Sequence, residues 1–126
     1  MASAERLTGC RILVVEDDWF ISNDLKRMLA RHGANLIGPV ATLDEALDLA
    51  RQDGFELAII DIKLRDGMAY PVADELRRQS VPFVFATGYP SDAIPDRFSD
   101  VLLFEKPFEA VGLLGETERL CRAQQQ

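Results

Sequence analysis

The sequence predicts an α/β fold of the doubly wound type, in which a five-stranded parallel sheet lies between two layers of helices as a three-layer αβα sandwich. The first supporting observation is that short apolar runs alternate with longer amphipathic stretches five times along the 126 residues. The second is that runs such as LAII at Leu57–Ile60 are apolar at every position, which is typical of strands buried on both faces of a parallel sheet. A chain of this length buries about two thirds of its unfolded surface. We therefore expect a single domain over residues 1–126, with its core at about residues 10–122.

The first half of the chain predicts two strands and two helices. The β-branched run RILVV at Arg11–Val15 is the first strand, and apolar residues at helical spacing predict a helix over residues 19–32. A weaker strand follows at Asn35–Val40. Thr42 begins the Thr-x-x-Glu pattern of a capping box, so we expect it to open a helix that ends near Gly54.

The second half continues the alternation with three strands and two helices. The strands are predicted at residues 57–60, 83–86 and 101–104, and the helices at residues 72–79 and from residue 110 onward. Between the last two strands, residues 89–100 contain two prolines and permit at most a short or broken helix.

Charge and composition exclude several classes of protein. Lys and Arg total 14 against 21 Asp and Glu, and this net charge of −7 disfavours binding to nucleic acids or to anionic membrane surfaces. The apolar runs are too short to span a membrane, and the first nine residues lack the apolar stretch of a signal peptide. We therefore expect a cytoplasmic protein. Cys10 and Cys121 form neither a disulfide framework nor a metal cluster, so we expect two ordinary thiols.

Polar side chains follow four of the five predicted strands. Glu16 and Asp17 end the first strand, Asp61 the third, Thr87 the fourth and Lys106 the fifth. The carboxyl ends of parallel strands meet at one edge of a sheet, and that edge is where such folds bind ligands. We therefore expect these five side chains to lie close together.

Each of these residues also has a purely structural interpretation. An acidic pair after a strand often serves only to cap the N-terminus of the next helix, and Asp18 can be that N-cap residue. Asp61 alone is a common turn former, as is the Thr87-Gly88 pair, and Lys106 alone is commonly a solvated lysine. The joint occurrence of all of them at one end of the sheet favours a functional site.

Three carboxylates at this edge predict a divalent cation. Carboxylates about 5 Å apart repel each other by roughly 3 kcal/mol per pair at an effective dielectric constant near 20. Oxygen ligands without a nearby thiolate or imidazole favour Mg²⁺, with Mn²⁺ as the other possibility. A carboxylate beside Mg²⁺, a lysine and a hydroxyl is also the set of groups needed to transfer a phosphoryl group to Asp.

Four motifs carry a resemblance to a known family: ILVVEDD, LAIIDIKLRDG, FVFATG and LFEKPF. Over residues 11–122 the chain resembles the receiver domains of two-component response regulators, which have a flavodoxin-like fold. The resemblance implies that Asp61 accepts a phosphoryl group from the phosphohistidine of a histidine kinase or a histidine phosphotransfer protein. It also implies that Glu16 and Asp17 bind Mg²⁺ together with Asp61 and the backbone carbonyl of Lys63.

The same resemblance gives roles to the remaining strand-end residues. Thr87 would donate a hydrogen bond to the phosphoryl oxygen, and Lys106 would pair with another oxygen. The expected protein is a signalling switch and not an enzyme, a monomer or weak dimer that changes its interactions with a downstream protein. The FATG run and the third helix are similar to those of a subgroup of stand-alone bacterial receivers.

The chain departs from the family at two positions that bear on the switch. Gly88 follows the threonine where a small residue such as Ala is usual, and Leu103 stands where many members have an aromatic residue. Phe104, its neighbour, should point to the opposite face of the sheet. We therefore expect residues 89–100 to carry the conformational change.

Two competing functions and one open surface remain. A small Mg²⁺-dependent phosphatase would use an aspartyl-phosphate, but Lys63 stands where its general acid would be. A flavodoxin-like cofactor carrier would need a hydroxyl- and glycine-rich phosphate loop after the first strand, where this chain has three acids. Trp19 and Phe20 either form a kinase-docking surface, as the family's first helix does, or are structural, with Phe20 packed in the core and Trp19 as a packed cap.

Overall fold

The computed structural model describes residues 6–52 and 54–124, so both ends of the predicted domain range lie outside the described residues. Within these residues, five parallel strands form one sheet and two short antiparallel strands form a separate hairpin. The strands of the main sheet are β1 (Arg11–Val15), β2 (Asn35–Val40), β3 (Leu57–Ile60), β6 (Phe83–Thr87) and β7 (Leu103–Glu105), and those of the hairpin are β4 (Lys63–Leu64) and β5 (Gly67–Met68). The order of the strands across the main sheet is β2-β1-β3-β6-β7.

Four helices cover the sheet and confirm the predicted αβα sandwich. They are α1 (Trp19–Arg31), α2 (Leu43–Ala50), α3 (Tyr70–Arg78) and α4 (Ala110–Gln124). Buried residues of α1 and α4 pack on one face of the sheet, and those of α2 and α3 pack on the other. Among residues 6–52 and 54–124, no helix combines the length and the apolar character that a membrane crossing requires.

Strand β1 shows why the central strands are apolar throughout. Ile12 and Val14 point into the cluster beneath α1 and α4, whereas Leu13 and Val15 point into the cluster beneath α2 and α3. Successive side chains of a strand face opposite sides of the sheet, so a strand covered on both faces needs an apolar residue at every position.

The amino end of α2 is capped from two directions. The hydroxyl of Thr42 accepts the N–H of Glu45 at 3.2 Å, as the Thr-x-x-Glu pattern predicts. Asp66, in the turn of the β4–β5 hairpin, accepts the N–H of Leu43 at 2.7 Å. That backbone hydrogen bond holds the pKa of Asp66 below its ordinary value. The hairpin is therefore tied to α2 by an ionised cap that lies 23 residues away in sequence.

Replacing Asp66 by Ala is expected to lower the melting temperature by a few degrees at neutral pH, because α2 loses one of its caps. Because the pKa of Asp66 is lower in the folded protein than its unfolded value of 3.8, the ionised carboxylate stabilises the fold at any pH above 3.8. This stabilisation is lost as the pH falls through the pKa of the folded protein. Thermal unfolding at several pH values should show that the difference in melting temperature between the variant and the wild type becomes smaller as the pH falls below 3.8. Asp92→Ala, at an exposed position, is the control.

Several predicted element boundaries were wrong. Helix α2 ends at Ala50 instead of near Gly54. Helix α3 begins at Tyr70 instead of residue 72, with Pro71 in its first turn. The last strand begins at Leu103 instead of residue 101, because the chain still turns there: the N–H of Val101 bonds to the carbonyl of Phe98 at 3.0 Å. The hairpin at β4–β5 was not predicted, since two-residue strands carry no readable alternation.

The expectation of two free thiols was also wrong. Cys10 and Cys121 form a disulfide, with their Cα atoms 6.0 Å apart. Cys10 directly precedes β1, and Cys121 lies on the buried face of α4, which packs on the same side of the sheet. The two positions are 111 residues apart in sequence, so only the packing of α4 brings them together.

Candidate functional site

The acidic residues that follow β1 and β3 meet at the carboxyl edge of the sheet. Glu16, Asp17 and Asp61 each place a carboxylate oxygen within 4.8 Å of the others. Glu16 and Asp61 are buried, and Asp17 is half-buried. The two strands are neighbours in the sheet, so residues that end them are brought together by the strand order alone.

The carboxylate of Asp61 is held by one donor on each oxygen. The hydroxyl of Thr87, the last residue of β6, donates to Oδ1 at 2.6 Å. The ammonium of Lys106, which follows β7, donates to Oδ2 at 2.9 Å. Thr87 is 1% exposed, so its hydroxyl is fixed in a water-poor environment. All five residues predicted from the strand ends are therefore in one site.

Glu16 has an oxygen that is well suited to a metal. Its Oε2 accepts Lys106 Nζ at 2.9 Å and the N–H of Asp18 at 3.0 Å. Its Oε1 is buried and accepts no hydrogen bond from the described residues, although Lys106 Nζ lies 2.9 Å away as an ion pair. Burial raises the pKa of Glu16 to about 7, and the charge of Asp61 adds to this effect against the lowering effects of Lys106 and the Asp18 N–H.

One lysine does not neutralise three carboxylates. Burial lowers the pKa of Lys106, but its bonds to Glu16 and Asp61 outweigh this and raise the pKa above its ordinary value. Lys106 is therefore a cation at neutral pH, and it offsets one of the negative charges. The remaining charge, the all-oxygen donor set and the Oε1 of Glu16, which accepts no hydrogen bond from the described residues, fit a hard divalent cation such as Mg²⁺.

Three further groups surround this cluster. Lys63 begins β4 with an exposed side chain, and its backbone carbonyl remains a predicted ligand. The N–H of Tyr89 donates to the Thr87 hydroxyl at 3.2 Å, which connects the site to residues 89–100. Arg65 places Nη2 3.5 Å from the carbonyl oxygen of Asp17. Sequence reasoning missed Arg65, since an exposed arginine in a loop carries no signal of its own.

A parallel sheet in this strand order, with acids after its two central strands and a threonine and a lysine after the next two, defines a response regulator receiver domain. The chain belongs to this family. No family model matches it. The similarities described below are to individual proteins and to solved structures.

One similar protein is matched over nearly its whole length, and another over only part of it. SdrG from Sphingomonas melonis, known from a solution structure, is 34% identical, with a TM-score of 0.74 over 94% of this chain and 96% of that one. The phyllosphere-induced regulator PhyR of Methylorubrum extorquens is 34% identical over 102 residues, which are 78% of this chain but 38% of PhyR. The chain thus spans well under half of that curated relative.

A third comparison concerns the fold alone. The receiver domain of the sensor histidine kinase PA1611 from Pseudomonas aeruginosa is 22% identical, with a TM-score of 0.75 over 91% of this chain and 99% of that one. In that structure a magnesium ion is coordinated in the active site cleft.

Proposed function

We propose that this chain is a phosphoacceptor switch in which Asp61 receives a phosphoryl group from a phosphohistidine. The observation that carries the proposal is the position of the Asp61 carboxylate, buried between Thr87 and Lys106 and within 4.8 Å of two further acids. We propose with it that residues 1–126 form one receiver domain, which the match to nearly the whole of SdrG supports.

The reaction needs a nucleophile and a way to neutralise the phosphoryl oxygens. A carboxylate oxygen of Asp61 attacks the phosphorus, the phosphorus–nitrogen bond breaks, and its electron pair returns to the imidazole. Lys106 is placed to pair with one phosphoryl oxygen. Glu16, Asp17 and Asp61, with the carbonyl of Lys63, would hold Mg²⁺, which supplies positive charge to the remaining oxygens.

Phosphorylation would change the partner of the Thr87 hydroxyl. That hydroxyl now donates to Asp61 Oδ1, and it would turn to the new phosphoryl oxygen. Bonds from Thr87 and Lys106 to a charged group stabilise by about 1.5–3 kcal/mol each. Driving a two-state element from mostly off to mostly on takes about 5.5 kcal/mol of differential binding. The two bonds contribute to it by the amount by which they exceed the present bonds to Asp61. The Tyr89 N–H, bonded to the same hydroxyl, would pass the change to residues 89–100.

Thr87→Ala is expected to accept the phosphoryl group and lose the conformational response, because the hydroxyl links Asp61 to the Tyr89 amide. The measurement is the phosphorylation-dependent shift of the Tyr89 amide resonance. Thr87→Ser keeps the hydroxyl and should keep the shift. An unchanged shift in the Ala variant would contradict the assignment of Thr87 to the switch.

A groove beside the site fits the partner that delivers the phosphoryl group. It has a volume of about 250 Å³ between α1 and the loop that leads into α4. It is lined by Ile21, Leu25, Met28, Lys106, Pro107 and Phe108. Lys106 thus belongs to both the groove and the site, so a partner helix seated in the groove brings its histidine to Asp61. We propose a histidine kinase or histidine phosphotransfer protein as the occupant.

Two exposed aromatic residues begin α1, the helix that forms one wall of this groove. Trp19 is 69% and Phe20 74% exposed, so the structural alternative, in which both are packed, is wrong. Their rings contact each other edge to face, with centroids 5.2 Å apart. An exposed aromatic pair on a helix that also lines a groove is typical of a protein-docking surface.

Phe20→Ala is expected to slow phosphotransfer from the partner at least tenfold, because it removes an anchor of the docking surface. Labelling by acetyl phosphate, which needs no docking, should be unchanged. The partner is found by profiling transfer from phosphorylated histidine kinases of the source organism. Equal rates for wild type and variant with the partner would contradict docking on this face.

The test of the proposed function is covalent labelling by acetyl phosphate. With Mg²⁺, intact-mass measurement should show the addition of one phosphoryl group, and chelation of the metal should prevent it. The adduct should decay when hydroxylamine is added, as an acyl phosphate does. Continuous turnover of phosphate esters without accumulation of an adduct would instead indicate a phosphatase.

A further inference from the structure

Asp18 connects the candidate metal site to the first helix. Its side-chain Oδ1 accepts the N–H of Phe20 at 2.9 Å and that of Ile21 at 3.1 Å, and so forms the N-cap of α1. Its own backbone N–H donates to Glu16 Oε2 at 3.0 Å. One residue therefore caps a helix with its side chain and holds a site carboxylate with its main chain.

The cap determines where this N–H points. Asp18 is held in extended conformation, with φ −82° and ψ 117°, by the two bonds that anchor its side chain to α1. The N–H that reaches Glu16 belongs to the same residue, so its direction follows from the cap. A residue without a side-chain acceptor leaves the first N–H groups of the helix unsatisfied and the backbone less restricted at this position.

The N–H of Asp18 makes a contribution to Glu16 that Lys106 does not. Lys106 Nζ lies 2.9 Å from each of the two carboxylate oxygens of Glu16 and also donates to Asp61, so it draws the two carboxylates together without distinguishing the oxygens of Glu16. The Asp18 N–H bonds to Oε2 of Glu16 and leaves Oε1, which is buried, without a hydrogen bond from the described residues. The orientation in which Oε1 is available to a cation therefore depends on this bond.

We propose that Asp18 is a positioning residue for the divalent cation: through the cap of α1 it fixes the N–H that orients the Glu16 carboxylate for metal binding. The proposal rests on the proposed function, since it assumes that Glu16 is a ligand. Asp18 is not one of the acids whose oxygens meet at the candidate metal site, and its Oδ1 accepts the amides of Phe20 and Ile21.

Three substitutions at Asp18 separate positioning from charge. Asp18→Ala removes both the cap and the negative charge, whereas Asp18→Asn and Asp18→Ser remove the charge and keep an acceptor that caps a helix well. Thr42→Ala removes the corresponding cap of α2, the helix on the opposite face of the sheet, and is the control for a general loss of stability. Isothermal titration with MgCl₂ gives the Mg²⁺ Kd of each folded protein, and thermal unfolding gives its stability.

We expect Asp18→Ala to raise the Mg²⁺ Kd by about tenfold, the low end of the effect of removing a group that orients a metal ligand. Asp18→Asn and Asp18→Ser should restore binding to within about twofold of the wild type, and Thr42→Ala should lower the melting temperature without changing the Kd. Hydrogen exchange at the Asp18 amide should accelerate in the Ala variant alone.

Other outcomes overturn the proposal in identifiable ways. Equal weakening by all three Asp18 substitutions would mean that long-range charge, and not positioning, sets the affinity. An unchanged Kd in Asp18→Ala, or an equal increase in Thr42→Ala, would also refute it. If the wild type binds no Mg²⁺, the metal site of the proposed function is refuted. If the wild type binds Mg²⁺ and substitution of Asp18 leaves the Kd unchanged, only the positioning role of Asp18 is refuted.

Discussion

Replacing Asp61 by Asn is expected to abolish Mg²⁺-dependent labelling by acetyl phosphate, with a loss in rate of roughly a thousandfold or more. An amide has nearly the shape of a carboxylate but no nucleophilic oxygen that could form an acyl phosphate. The substitution also removes one of the three charges that would hold the metal. Intact-mass measurement after a fixed incubation shows the loss directly.

The Asn variant should otherwise remain folded. Asn keeps an oxygen that can accept a bond from Thr87, so near-wild-type thermal unfolding is expected and separates loss of chemistry from loss of structure. Asp92→Asn changes an exposed aspartate and should label like the wild type. Undiminished labelling of Asp61→Asn would show that Asp61 is not the phosphoacceptor.

Replacing Phe98 by Ala is expected to cost about 3–5 kcal/mol of the free energy of unfolding. Phe98 is 2% exposed, and it lies in the second of two short 3₁₀ helices, Ser91–Ala93 and Asp96–Phe98. Its ring stacks on Tyr70 at 5.5 Å and meets Phe85 edge to face at 5.6 Å. Small domains are stable by about 5–15 kcal/mol in all, so this loss is a large fraction.

Two arginines close the outer side of this aromatic cluster. Arg97 lies 4.5 Å and Arg77 5.4 Å from the centre of the Phe98 ring. Each also pairs with an acid, Arg97 with Asp74 and Arg77 with Asp100. These exposed ion pairs add little stability by themselves, so we expect the buried ring to dominate.

Phe20→Ala is the matched control for the loss at Phe98. The same side chain is removed from a site that is 74% exposed, and the cost should stay within about 0.5 kcal/mol. Urea unfolding of both variants gives the comparison. A cost below about 1 kcal/mol at Phe98 would show that residues 89–100 do not pack against the sheet in solution.

The position of the site could be predicted because it depends on topology. Once the apolar runs are read as parallel strands, Glu16, Asp61, Thr87 and Lys106 must lie at one edge of the sheet, whatever the details of packing. Helix α1 was predictable for a related reason, since its buried Leu25 and Leu29 repeat at helical spacing.

The segment between β6 and β7 was less predictable. Its two prolines correctly indicated that no long helix forms, but nothing local indicated that Phe98 would be among the most buried residues. That burial depends on Tyr70, Phe83 and Phe85, which come from two other elements. A pattern within twelve residues contains no information about such partners.

The electrostatics of the site also depended on the fold. A carboxylate at a strand end is as readily solvated as buried, and only the packing around Glu16 raises its pKa to about 7. The bond from the Asp18 N–H to the same carboxylate is equally invisible in the sequence, because every residue except proline has an N–H.

By itself, the sequence determined the fold class and the five polar residues of the site. The alternation of apolar runs with amphipathic stretches is a local pattern, and residues that end parallel strands lie at the same edge of the sheet. The tertiary structure alone decided the Cys10–Cys121 disulfide, the burial of Phe98, the exposure of Phe20 and the orientation of Glu16. These depend on contacts between elements far apart in the chain, and such contacts exist only once the layers have packed.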